Sequence, residues 1–146
     1  MVSIFADSSV IIAGVGSASG ASRAVLILAD LGFFQLVISP LVLEESRRNI
    51  AKKLPTFMPV FTDLIATIQP QVVVNPSVEE CQRWITIIEA KDAPIIAAAI
   101  SAKVNRLLTL NTKDFTAEVA ARTGLIIQTP GEFIQDIRGI ITEGLM

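Results

Sequence analysis

Asp7, Glu45, Asp92 and Asp114 each stand at or close to a point where a strand or loop hands over to a helix, and the chain has no histidine. Gathered by a fold, they would make an oxygen-only site. Two bare carboxylates about 5 Å apart repel by roughly 3 kcal/mol at an effective dielectric of about 20. A divalent cation removes that penalty, and hard ions such as Mg²⁺ and Mn²⁺ accept carboxylate, hydroxyl and water oxygens. Cys81 is the only cysteine, which excludes an internal disulfide and a thiolate metal cluster.

Read singly, three of the four acids have structural explanations. Asp92 directly precedes Ala93-Pro94 and suits a helix N-cap. Asp114 suits a cap for a helix beginning near Phe115 or Thr116. Glu45, beside Glu44, suits a solvated helix residue. Asp7 differs, because it ends an apolar strand and is followed by Ser8 and Ser9. A charge placed there needs a partner or a metal.

The elements that must position these residues alternate along the chain. Strands are predicted at Ser3 to Ala6, Phe33 to Ile38, Gln71 to Val74, Arg106 to Leu110 and Leu125 to Gln128. Helices are predicted over Ser22 to Leu31, from Ser39-Pro40 to about Leu54, and over Phe57 to Ile68. A capping box at Ser77 opens another through about Glu89, and one begins at Asp92-Ala93-Pro94. Two more are predicted, one after Asp114 to Arg122 and one capped by Thr129-Pro130-Gly131-Glu132. Gly14 to Gly20 reads as a flexible loop.

Strands joined by helical crossovers imply a mostly parallel five-stranded sheet in a three-layer α/β/α sandwich, one domain over residues 1–146. Ligands in such sheets bind beyond the strands' carboxyl ends. Asp7 follows the first strand, Glu45 lies in the second turn of the helix after the second, and Asp114 follows the fourth. Topology therefore places three acids at one edge.

Bulk properties narrow the class. The 146 residues are 51% hydrophobic with a mean hydropathy of +0.60. No run reaches the roughly 18 apolar residues of a membrane span, and the Met1 end has no signal-peptide pattern. A soluble cytoplasmic protein, not a membrane protein, is expected. Surplus apolar surface points to a homodimer. The net charge of −2 argues against a general polyanion binder. If four of the 14 acids are sequestered, however, the remaining 10 face 12 Lys and Arg, so local nucleic-acid contact is compatible.

Among metal-using or phosphate-binding α/β families, several patterns compete. The glycine stretch has no Gly-Lys-Ser/Thr and is not a Walker cradle. Asp7-Ser8-Ser9-Val10 resembles the opening of haloacid-dehalogenase phosphatases, but Ser9 stands where the second acid belongs. A receiver domain wants a phosphoacceptor Asp after the third strand, and Asn75 follows it here.

The full set resembles the PIN-domain family of metal-dependent ribonucleases over nearly the whole chain. Ile4-Phe5-Ala6-Asp7-Ser8-Ser9-Val10 is similar to its opening, and Ile38-Ser39-Pro40-Leu41-Val42-Leu43-Glu44-Glu45 to the helix carrying its second acid. Spacing from Ser39 favours Glu45, with Glu44 as the alternative. Asp92-Ala93-Pro94-Ile95-Ile96-Ala97-Ala98-Ala99 resembles the third signature, and Thr109-Leu110-Asn111-Thr112-Lys113-Asp114-Phe115 the fourth. No single motif is specific, but four in this order are.

That resemblance implies hydrolysis of RNA phosphodiester bonds with Mg²⁺ or Mn²⁺. It implies Asp7 and Asp92 as principal ligands, Glu45 as a ligand through water or an orienter of the nucleophile, and Asp114 as completing the site. Ser9, Thr109 and Asn111 become supporting or phosphate-contacting residues, and ordinary loop hydrogen bonding is their other reading. Arg48 and Lys52, at helical spacing from Glu45, are candidate RNA contacts. Compact single-domain relatives of this kind, similar to VapC, are often toxins paired with an antitoxin protein. A PIN-fold RNA- or protein-binding module without catalysis and, more remotely, a phosphatase-like hydrolase are the alternatives.

Overall fold

β1 (Ser3–Ala6) is the centre of the sheet. Its Ile4, Phe5 and Ala6 are fully buried, as a strand covered on both faces requires. β2 (Gln35–Ile38) and β4 (Arg106–Leu108) flank it, with β3 (Gln71–Val72) outside β2 and β5 (Ile127–Gln128) outside β4. Every pairing is parallel. The chain thus runs outward from β1 through β2 and β3, then crosses back to the other side for β4 and β5. This reversal makes the β1/β4 edge a topological switch point, where open α/β sheets bind ligands.

The computed structural model describes residues 2–144, with side chains to residue 139. Met1, Leu145 and Met146, which the expected 1–146 domain includes, lie outside the described residues. The helices are α1 (Ser8–Gly16), α2 (Ala21–Asp30), α3 (Pro40–Lys53), α4 (Met58–Ile68), α5 (Val78–Gln82), α6 (Ala93–Ser101), α7 (Ala117–Thr123) and α8 (Pro130–Gly144). A 3₁₀ turn over Pro55–Phe57 leads into α4. The helices flank the sheet in the expected α/β/α arrangement. Among the described residues, no single helix is long and apolar enough to cross a membrane.

α1 replaces the first half of the expected flexible loop. Val10, Ile11, Gly14 and Val15 are buried, so the helix has little polar face and no amphipathic period to announce it. A Cβ on Gly14 would lie 2.5 Å from Leu26 Cδ1 and 3.1 Å from the Ser22 carbonyl, so glycine lets α1 and α2 approach. Arg23 of α2 donates to the Gly14 carbonyl through Nε and to the Val15 carbonyl through Nη2 at 3.0 Å, closing the end of α1.

α5 is much shorter than expected. Its capping box forms, with Ser77 Oγ accepting from the Glu80 amide and Glu80 accepting from the Ser77 amide, both at 3.1 Å. The helix nevertheless stops at Gln82 and gives way to turns, where Ile85, Thr86, Ile87 and Ile88 are poor helix formers. α6 is apolar nearly all round, with Ala93 and Ile95 to Ala99 buried; its alanines bring the backbone close to its neighbours.

Candidate functional site

Asp7 is built into the end of β1. Its amide donates to the Leu108 carbonyl at 3.1 Å, tying it to β4. Its side chain caps α1: Oδ1 accepts from the Ser9 amide at 2.9 Å and from the Ser9 hydroxyl. Oδ2 accepts from the Thr109 hydroxyl at 2.5 Å. Ser9 Oγ in turn accepts from the Leu110 amide, and Thr109 Oγ1 from the Asn111 amide, both at 3.0 Å. The turn after β4 therefore fixes the donors that fix Asp7. Burial raises the Asp7 carboxyl above its ordinary value, against the opposing pull of the Ser9 and Thr109 hydrogen bonds.

Glu45 on α3 accepts from the Ser8 hydroxyl at 3.1 Å through Oε2. Glu44 points elsewhere, to Arg47 at 3.6 Å on the solvent side. Asp7, Ser8, Ser9, Glu45, Lys91, Asp92, Ile95 and Asn111 line one cleft of about 200 Å³. The acids expected after β1, on α3 and at α6 thus meet beside the switch point.

Asp92 precedes α6 as its N-cap residue but makes no capping hydrogen bond through its side chain. Its Oδ2 is buried and has no hydrogen-bond partner among the described residues. Burial, with the Asp114 carboxyl alongside, pushes the Asp92 carboxyl up to about 6. Asp114 moves the opposite way, lowered first by a hydrogen bond from Asn111, whose Nδ2 lies 3.0 Å from Oδ2. Lys91 and Lys113 add positive charge on the same side. Nor does Asp114 cap a helix, since Thr116 caps α7 by accepting from the Val119 amide.

Asp114 does not line the cleft but adjoins it through Asp92. One carboxylate oxygen each from Glu89, Asp92 and Asp114 lie within 4.8 Å of one another. Glu89 is a site residue that the sequence reading missed, because α5 was expected to carry it on a helical surface. The turns after α5 instead bring its carboxylate beside those of Asp92 and Asp114. Lys91 was missed as well. Its Nζ stands 3.6 Å from Glu89 and 3.9 Å from Asp114 and lines the cleft. Arg48 and Lys52 are exposed on α3, do not line the cleft, and make no ion pair among the described residues.

The donor set fits a hard divalent cation. It is all oxygen, its carboxylates outnumber Lys91 and Lys113 beside them, and one of its carboxylate oxygens is buried with no partner among the described residues.

Residues 3–113 match the family model described as PIN domain. The fold is similar to that of PAE2754 from Pyrobaculum aerophilum, at a TM-score of 0.61 and 17% identity, covering 92% of this chain and 88% of that one. It is also similar to a chain of VapBC2 from Rickettsia felis, solved bound to a DNA fragment from their promoter. There the TM-score is 0.60 and the identity 16%, covering 87% of this chain and 98% of the other. No curated protein sequence matches the chain.

Proposed function

The chain belongs to the PIN-domain family, and from that premise we propose that it is a metal-dependent endoribonuclease, using Mg²⁺ or Mn²⁺ to hydrolyse RNA phosphodiester bonds. The observation that carries this reading is the buried, unpartnered Oδ2 of Asp92, set beside the carboxylates of Asp114 and Glu89 in the wall of the Asp7 and Glu45 cleft. A buried carboxylate oxygen without a donor is costly unless a cation satisfies it.

In this reading Asp7 and Asp92 are the main ligands, Glu45 and Asp114 complete the set, and Glu89 supplements it. A bound cation would stabilise charge on a phosphoryl oxygen and make water a competent nucleophile near neutral pH. The protein's own part is placement. Ser9 and Thr109 hold both oxygens of Asp7, Ser8 turns Glu45 inward, and Asn111 holds Asp114. Lys91 offers a point charge to a phosphate at the cleft, and Arg48 and Lys52 offer theirs farther along the RNA backbone.

The similarity to a VapBC2 chain supports the role of toxin in a toxin-antitoxin pair, with an antitoxin protein as partner. Exposed Leu31, Phe33 and Val74 support a homodimer, and the single cysteine fits a reducing cytoplasm.

Cleavage of single-stranded and structured RNA, with Mn²⁺ and with chelator, tests the enzyme. Wild type is expected to cut only with metal, and Asp7→Asn and Asp92→Asn to lose at least about a hundredfold in rate. RNA binding without cleavage, unchanged by both substitutions, would replace the enzyme with a binding module. Hydrolysis of a small phosphomonoester that depends on Asp7 would instead favour a phosphatase.

A further inference from the structure

The turn leaving β4 borders the carboxylate cleft on one side, and on its other side lies a second cavity of about 310 Å³. Thr109 lines this cavity while its hydroxyl bonds Asp7, so one side chain separates the two spaces. Asn111 lines the cleft and its neighbour Thr112 lines the cavity. A polynucleotide laid over residues 109–112 would pass from one to the other.

The two spaces differ in chemistry. The cavity has apolar walls from Phe115, Ala120 and Ile127, and among the described residues no lysine or arginine lines it. Among the described residues its only charge is the Glu132 carboxylate. A phosphate there would meet a negative charge with no cation to offset it. A nucleobase suits it better, with apolar walls for its faces and polar groups for its edge. Glu132, exposed at the cavity's rim, accepts from the Thr129 amide at 2.9 Å through Oε1, and among the described residues no hydrogen bond engages its Oε2. Exposed Thr112 likewise has a hydroxyl that no described residue engages.

We infer that this cavity seats the base next to the scissile phosphate and that Glu132 favours bases presenting adjacent N–H donors, guanine above all. The placement beside a scissile phosphate rests on the nuclease reading; the cavity's chemistry does not. Uracil, with two carbonyls flanking one N–H, fits a carboxylate least.

Backbone-amide NMR of the metal-free full chain, titrated separately with guanosine, uridine and inorganic phosphate, tests the assignment without requiring cleavage. Guanosine should move the amides of Thr112, Thr116 and Ala120 and bind about tenfold more tightly than uridine, the order expected for one charge-assisted hydrogen bond. Phosphate should leave those amides in place. Glu132→Gln preserves the capping pattern at the start of α8, so it should fold and lose the preference for guanosine. Ala120→Leu, which fills the cavity, should weaken both nucleosides.

Equal binding of uridine, movement of these amides by phosphate, or no movement by guanosine would overturn the base seat. RNA cleavage alongside any of those results would leave the nuclease intact. Guanosine seated in the cavity of a protein that cuts no RNA would sustain the cavity's chemistry and remove the nuclease.

Discussion

Asp92 shows how one residue can satisfy a sequence rule and serve something else. Asp before Ala-Pro is a strong N-cap pattern, yet here the side chain makes no cap bond and leaves a buried oxygen unpaired. Sequence cannot reveal this, because capping depends on a side-chain rotation that the neighbouring Asp114 and Glu89 decide. The pairing has a pH signature. Asp92 is raised from 3.8 to about 6, so between those values the native state holds a proton the unfolded state has released. Stability of the cation-free protein should therefore fall as pH rises through that window. Asp7, also raised, adds to the fall, while the lowered Asp114 acts in the opposite sense, its stabilisation being lost toward acid. Calorimetry in chelator should show a shallower decline for Asp92→Asn than for wild type; parallel curves would refute the assignment. Lys91 provides a second test. Its ammonium sits by Glu89 and Asp114, so it would compete with a cation for them. Lys91→Ala should bind Mn²⁺ several-fold more tightly by titration calorimetry, with a slower cut of RNA. Thr109→Val removes the donor to Asp7 Oδ2 and should weaken Mn²⁺ about tenfold or more, with Thr109→Ser restoring most of it.

A polar side made two of the helices legible. Amphipathic α2, and α3 with Ser39-Pro40 at its start, appear within a residue of the expected bounds. α1 was not legible, because burial on most sides removes the period and its two glycines resemble a loop. Its Gly14 carries a direct consequence. Gly14→Ala would press a methyl against the buried Leu26 side chain, which must shift, and against the Ser22 carbonyl of the α2 backbone. A loss of about 1–3 kcal/mol is expected from denaturant unfolding, despite alanine's better helix propensity. A neutral or stabilising result would mean that α1 and α2 can separate at little cost. The early end of α5 matters more for the candidate site, since the turns after Gln82 carry Glu89 and Lys91 beside Asp92 and Asp114.

At the scale of the molecule, alternating strands and helices were enough to predict the parallel sheet, but not the order β3-β2-β1-β4-β5. That order depends on which strands find each other across the chain, and it is what brings Asp7 against Thr109 although they are 102 residues apart. It also explains how Asp7, Glu45 and Asp92 come to share one cleft with Asp114 beside it, although three of the four acids have separate local explanations. The central claim is that these carboxylates hold a divalent cation, and Mn²⁺ titration into the metal-free chain by calorimetry tests it most directly. Saturable binding should appear in wild type, weaken at least about a hundredfold in Asp92→Asn, and change little in Glu44→Gln, which faces solvent. Equal Mn²⁺ binding by wild type and Asp92→Asn would contradict it.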